Sequence, residues 1–418
     1  MRNHLLRRLG ENRPQIVTLG IVALFAAMLG CGGGGGGGGG TSATSTTSTS
    51  TTSTSTTSTS TTSTSTTSTS TTAGSTTSET TGTTGSSLPA NRIFFQDIGT
   101  DLKHMNPDGS DEQTLTAMPT GYKGFAQNPT NSNIKAFAFA PGTPDPENGV
   151  FAQYDIYVNS SVSTVGATKL TAIAKADIGS IMFTPDGSQI VFTAATGSMV
   201  QGDNGPVPEY SYQLFVIDAT APNQTPVPLD SADDAYVAPT GTRIVYTHWP
   251  LSASNPRVAA IDTDGTDKVI LTYPGSPSGS IPAANFMPQY NKSGTQICFA
   301  TTRSGQFEIW KMNSNGSSVT QVTNLNSTLS DRCFGSSFNS NGSEVAFTRI
   351  TVNSGTSGVY RVPSAGGTEV LVRAGFLQPW IYWSPESSTM PGRGIGSAST
   401  PLGFGTSRRI KELLGIED

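Results

Sequence analysis

Residues 181–192, IMFTPDGSQIVF, set two short apolar runs of alternating pattern on either side of a Pro-Asp-Gly turn, the signature of an antiparallel hairpin. The unit recurs. Its turn glycine, Gly187, returns as Gly241 in VAPTGTRIVYT, Gly294 in YNKSGTQICFA and Gly342 in FNSNGSEVAFT, at spacings of 54, 53 and 48 residues. Further strands follow each hairpin; after the first, a long loop is predicted over residues 194–211, and YQLFVID then resumes the strand pattern. A sheet of four short strands cannot bury both of its faces alone, so each copy must stack between neighbours, and a period of this length is that of a propeller blade.

Six copies can be traced. Ile93 and Phe95 hold the place taken later by Ile190 and Phe192, Ile244 and Tyr246, Ile297 and Phe299, and Val345 and Phe347. A third strand recurs from Leu102, Ile156, Leu214, Val258, Ile309 and Val359, and a fourth closes on Leu115-Thr116, Leu170-Thr171, Leu271-Thr272 or Val322-Thr323. The first copy lacks its innermost strand, and PWIYWSP at residues 379–385 supplies one after the last copy. The expected fold is therefore all-β, a six-bladed β-propeller over residues 89–386 whose C-terminal strand completes the first blade, since an open ring would leave apolar strands in water.

Nothing before residue 89 reads as globular. Arg2, Arg7, Arg8 and Arg13 precede an apolar run over residues 16–29, too short for a comfortable membrane span, so residues 1–30 read as an export signal. Gly32 opens an unbroken glycine run, and five consecutive TTSTS units fill residues 46–70. Such a segment cannot bury apolar surface against its ordering entropy, so residues 31–88 are expected to be a disordered tether. Its 58 residues would reach about 40–45 Å by flexible-chain scaling. Residues 387–418 form a Gly/Ser/Pro-rich tail ending in SRRIKELLGIED, a short helix in prospect, which either docks on the propeller or binds a partner.

Met28-Leu29-Gly30-Cys31 resembles the bacterial lipobox, which implies that Cys31 is acylated and becomes the mature N-terminus, anchored in a membrane. Gly32 after that cysteine implies, by analogy with lipoprotein sorting, release to an outer membrane. FTPDGSQIVFT, YNKSGTQICFA, FNSNGSEVAFT and YWSP, with AAIDTDGTDKVILT and KMNSNGSSVTQVTN, resemble the repeats of TolB-type six-bladed propellers. That likeness covers residue 91 to about residue 385. It extends to the propeller module only, because a tether stands here where TolB proteins carry an N-terminal α/β domain.

Charge excludes one partner class. The formal charge of −5 becomes −8 without residues 1–30, which hold four Arg and one Glu, and no basic stripe for nucleic acid remains. Long loops on one rim of a rigid scaffold are where recognition sits. The candidate ligand-binding residues there are Asp233, Asp234, His248, Trp249, Asp331, Arg332 and Trp380, with Asp145, Glu147, Asp203, Glu209 and Tyr210 on the longer loops. Catalytic signatures are missing: there is no Gly-x-Ser-x-Gly elbow, and His104 and His248 are too dispersed for a histidine-rich metal centre. The Asp262–Asp267 run lacks the rest of a calcium loop and repeats the Asp-Gly turn chemistry of the other copies, so no metal or cofactor is expected. Cys298 and Cys333 fall in adjacent blades, and a disulfide and a pair of buried thiols are both open to them. The expected molecule is a monomeric, lipid-anchored envelope protein that binds a protein, peptide or glycan without transforming it. The alternative is a propeller lyase or hydrolase using Asp233, Asp234 and Asp331.

Overall fold

Alternating apolar residues and Asx-Gly turns resolve into strands and turns throughout the computed structural model, which describes residues 89–384 apart from short stretches of the connections. The signal segment, Cys31, the tether and the tail lie outside the described residues. The chain begins with β1 (Ile93–Asp97), β2 (Leu102–Met105) and β3 (Gln113–Thr116). Four complete meanders follow, each in chain order. They are β4 (Tyr122–Gln127), β5 (Lys135–Phe139), β6 (Asp155–Asn159) and β7 (Thr168–Lys169); then β8 (Ala176–Phe183), β9 (Gln189–Gly202), β10 (Gly205–Asp218) and β11 (Pro228–Asp230). Next come β12 (Ala232–Val237), β13 (Arg243–His248), β14 (Arg257–Asp262) and β15 (Val269–Ile270); then β16 (Asn285–Tyr290), β17 (Gln296–Thr301), β18 (Glu308–Asn313) and β19 (Thr320–Gln321). A last meander, β20 (Asp331–Phe338), β21 (Glu344–Thr351), β22 (Thr356–Pro363) and β23 (Val370–Ala374), leads into β24 (Leu377–Trp383).

Among the described residues these strands make six four-stranded antiparallel sheets, and the first in the chain has the order β24-β1-β2-β3. Ile93 pairs with Trp383 and Phe95 with Ile381, so the two ends of the folded region share one sheet. Polar groups reinforce the junction: Arg92 N–H donates to Ser384 Oγ at 2.8 Å, and that hydroxyl donates to Pro89 O at 2.9 Å.

Repeated side chains explain the repeated strands. Gly187, Gly294 and Gly342 have φ of 73°, 72° and 75°, a region that costs an L side chain steric energy. The Leu-Thr motif has a chemical cause as well. Thr171, Thr272 and Thr323 accept the N–H of Ile156, Val258 and Ile309 at 2.8–2.9 Å, tying the fourth-strand segment to the start of the third. Asp264 is consumed by a turn, accepting from the Thr266 N–H at 2.9 Å and its hydroxyl at 2.7 Å, as Asp108 does with Ser110 and Asn315 with Ser317.

The first strands of successive meanders touch in series, β4 with β8, β8 with β12, β12 with β16, β16 with β20, and β20 with β24. Apolar clusters fill the spaces between sheets. Ile297 and Phe299 face one neighbour, in a cluster with Ile244 and Tyr246, while Cys298 faces the other, with Phe334 and Phe347. Phe125 of β4 packs with Phe94, Leu102 and Tyr382 of the sheet that holds both chain ends.

One expectation needs correction, and one of the two states open to the cysteines is found. Residues 194–211 are not an irregular loop: β9 and β10 form an unbroken ladder from Gln189–Asp218 to Gly202–Gly205, far beyond the neighbouring strands. Cys298 and Cys333 are free, buried thiols. The Cys298 thiol is engaged by the carbonyls of Ser336 and Gln289 at 3.4 and 3.6 Å, and the Cys333 thiol lies beside Thr323, so each sulfur is held by its own partners. Burial pushes the Cys298 thiol up to about 12, which keeps it protonated and inert.

Candidate functional site

In a meander, the start of the first strand and the connection between the second and third lie at the same end of the sheet. This entry end gathers most of the candidate residues. A β-bulge interrupts β4, β8, β12, β16 and β20 near it. The bulge turns the backbone into the left-handed region at Gly124, Asp234, Met287 and Gly335, with φ of 56°, 47°, 51° and 40°. Glycine suits that conformation. Asp234 and Met287 do not, and side chains held under such strain concentrate at functional sites.

Asp233 and Asp234 sit on the β12 bulge. Asp233 is buried, and its Oδ1 accepts the Asp234 N–H at 3.1 Å. Burial, and then the neighbouring Asp233 carboxylate, push the Asp234 carboxyl well above the usual range. Asp234→Gly should therefore stabilise the fold at neutral pH by about 1–2 kcal/mol, by releasing backbone strain and a half-buried carboxyl together. Because a carboxyl raised in the folded state costs stability only above the pH at which the unfolded carboxyl ionises, the gain should shrink on acidification towards that value; thermal melts at two pH values would read both effects.

His248, at the end of β13, is held by a residue that the sequence reading missed. Its Nδ1 lies 2.9 Å from Asp230 Oδ2, which also accepts the Tyr246 hydroxyl at 2.5 Å and Lys268 Nζ at 2.8 Å. Those donors hold the Asp230 carboxyl far below its ordinary range against the opposing cost of burial. Asp230 closes β11, and Tyr246 and His248 alternate on one face of β13; that i, i+2 pairing was the available signal.

Trp249 begins an aromatic row across three sheets. Its ring lies 6.2 Å from Phe286, Phe286 is 5.9 Å from Phe307, and Phe307 is 5.0 Å from Phe334. Arg332 lies over Phe307 at 5.6 Å, and burial lowers its pKa. Asp331, adjacent in sequence, belongs to a separate assembly: it pairs with Arg349, which reaches Glu369 at 2.9 Å. Asp331 is thus tied into an ion-pair network and does not join Asp233 and Asp234.

The remaining candidates divide by position. Tyr210 lies on the projecting hairpin opposite Gly197, and Glu209 opposite Ser198. Asp145 bridges to Val150 in the β5–β6 connection. Trp380 lies in β24, but its side chain, like Glu147 and Asp203, is outside the described residues. Towards the other end of the first strands, Gln289 Nε2 donates to Ile381 O at 3.1 Å and Lys292 Nζ sits 4.2 Å from the Tyr382 ring, spanning from β16 to β24 past the intervening β20.

The sequence matches no family model and no curated protein. Among solved structures, it is similar to a TolB-like protein from Agrobacterium tumefaciens at 14% identity and a TM-score of 0.48, over 72% of this chain and 96% of that one. It is also similar to TolB from Acinetobacter baumannii at 18% identity and a TM-score of 0.43, over 71% and 67% of the two chains. A third likeness, to an oligogalacturonate lyase from Vibrio parahaemolyticus, has 14% identity and a TM-score of 0.37 over 71% and 75%.

Proposed function

We propose that the six sheets are the blades of a propeller closed by β24, carried on an exported chain anchored at Cys31. Its entry-end face binds a protein, peptide or glycan in the cell envelope without transforming it. The projecting β9–β10 hairpin carries this reading: it lies at the entry end of its own sheet, the end at which His248, Trp249 and the Asp233–Asp234 bulge lie in the next. Groups reaching from β16 to β24 occupy the far side, which favours approach from the entry end. Fractionation and affinity capture with the full chain test the reading together. Cys31→Ser should move the chain out of the membrane fraction, and the wild-type chain should retain a specific envelope component; retention of none would sink the binding role.

One observation favours a catalytic alternative. The carboxyl of Asp234, its pKa raised by burial and by the Asp233 carboxylate whose Oδ1 accepts the Asp234 N–H, is the kind of group that serves as a general acid beside a neighbouring base. Turnover of a polysaccharide or peptide from a defined panel, abolished by Asp234→Asn, would establish it.

A further inference from the structure

We infer that the seam between β1 and β24 carries an acid-sensitive latch, in which protonation of His104 drives off the Arg92 side chain and loosens the two ends of the folded region from each other. The inference stands apart from the binding reading. Arg92 immediately precedes β1 and is buried, and its guanidinium is held from three directions. Nε donates to His104 Nδ1 at 3.0 Å, while Nη1 donates to Asn106 Oδ1 at 2.6 Å and to Asp111 Oδ2 at 2.7 Å. Nη2 donates to Asp111 O. The backbone of the same residue closes the seam, since its N–H donates to Ser384 Oγ and its carbonyl accepts the Ser384 N–H, each at 2.8 Å. Arg92 thus ties the end of β24 to the β2–β3 hairpin.

The bond to His104 fixes the state of that ring. A guanidinium can only donate, so Nδ1 must offer a lone pair and the imidazole proton must sit on Nε2. Only the neutral ring does this. A proton added at Nδ1 removes the bond and sets an imidazolium against the guanidinium, two like charges in a site where His104 is 4% exposed.

The groups around the ring offer a cation little relief. His104 pairs with Phe94, whose ring centroid is 5.3 Å away and 6.1 Å from that of Tyr382 in β24. The next sheet meets this cluster with Phe125 and, from the β6–β7 connection, Val162, both apolar. On the β3 side Gln113 pairs with His104, but its Nε2 donates to Asp111 Oδ1 at 2.7 Å. Glu112 is committed to Lys103 and Arg373, at 3.2 and 2.7 Å. Lys292, 4.2 Å from the Tyr382 ring, is positive and can only disfavour a second cation. Asp111 favours one, and hydrogen bonding from Arg92 keeps its carboxyl below the ordinary carboxylate value, so it stays charged through the histidine range. Burial and then Arg92 outweigh it and lower the His104 pKa. A histidine depressed in the folded state binds its proton more weakly there than in the unfolded chain. The latch is therefore intact above the ordinary histidine value, and its stabilisation is lost as pH falls from that value towards the folded one.

The test follows the full chain in urea from about pH 8 to about pH 5.5, beside His104→Asn, whose amide oxygen can stand in for Nδ1 without titrating. Acidification should lower the folding constant of the wild type relative to the variant, by up to about tenfold per pH unit, the slope of a single proton. Two readouts on the wild type need no variant. Nitrogen NMR of the imidazole should show Nδ1 bare and Nε2 protonated at about pH 7. In amide exchange corrected for the intrinsic effect of pH, Arg92 and Ser384 should lose protection on acidification while the β12–β15 sheet keeps its own. Parallel pH profiles for the two proteins, an Nδ1–H tautomer, or seam amides that stay protected in acid would each overturn the inference. Should a thermal melt show His104→Asn unfolded, the tautomer and the seam amides decide.

Discussion

Replacing Trp383 with alanine lowers the unfolding free energy by about 3–5 kcal/mol, the range for a large aromatic removed from a core. Trp383 is 2% exposed and packs with Ile93, Phe95, Met105, Ala346 and Val359, residues drawn from the first sheet and its neighbour. Its Nε1–H donates to Asn91 Oδ1 at 3.0 Å, and its backbone N–H to Ser337 Oγ at 3.0 Å. At the lower end of the usual 2–4 °C per kcal/mol for domains a little smaller than this one, the melting temperature should fall by roughly 6–10 °C. Trp383→Phe separates the two contributions, keeping most of the packing and losing the Asn91 bond, at about 1 kcal/mol. Loss of the whole β24 segment should prevent folding, because Ile93 and Phe95 would become the exposed edge of a sheet. A cost below about 1 kcal/mol for Trp383→Ala would mean that β24 is peripheral.

The pairing of Ile93 with Trp383 follows the repeat pattern because alternation on a strand is a strong local signal, and the missing first strand of one copy can be counted. The turns were readable for the same reason, since Asp and Asn before glycine act within four residues. The β9–β10 hairpin was not. Gly197, Gly202, Gly205, Pro206 and Pro208 each read as strand breakers, and only the register shows that the prolines lie where no inward donor is needed. The site suffered likewise. Asp230 and His248 are neighbours only because Ala232, two residues after Asp230, pairs with His248 in the β12–β13 ladder, and the strain at Asp234 depends on a bulge that sequence alternation does not reveal. The cysteines show the limit of topology, since adjacent sheets brought them into one core cluster without aiming the sulfurs at each other.

Arg349→Met should cost about 2–3 kcal/mol at neutral pH, below the 3–5 kcal/mol for breaking a buried ion pair because the Arg349 side chain is 26% exposed. Arg349 neutralises Asp331 and Glu369 and lies over the Tyr360 ring at 5.3 Å, near a fully buried Glu308 whose carboxylate accepts the Leu325 N–H at 2.8 Å and the Thr323 hydroxyl. Burial raises both Glu308 and Glu369 above the ordinary carboxylate range, and Arg349 opposes that rise. A carboxyl raised in the folded state holds more protons there than in the unfolded chain, so stability falls as pH climbs from the unfolded value through the folded one. Removing Arg349 lifts both folded values further. The penalty should therefore be largest above that window and shrink as the pH is lowered towards the ordinary carboxylate range, in urea unfolding measured across a pH series. Arg349→Lys should recover part of the loss, since one ammonium restores charge without the two-pronged contact. A penalty equal at every pH would assign Arg349 to packing on Tyr360 alone. It would leave Asp331 unaccounted for, since that carboxylate is buried at the start of β20 and its ion pair with Arg349 would then contribute nothing.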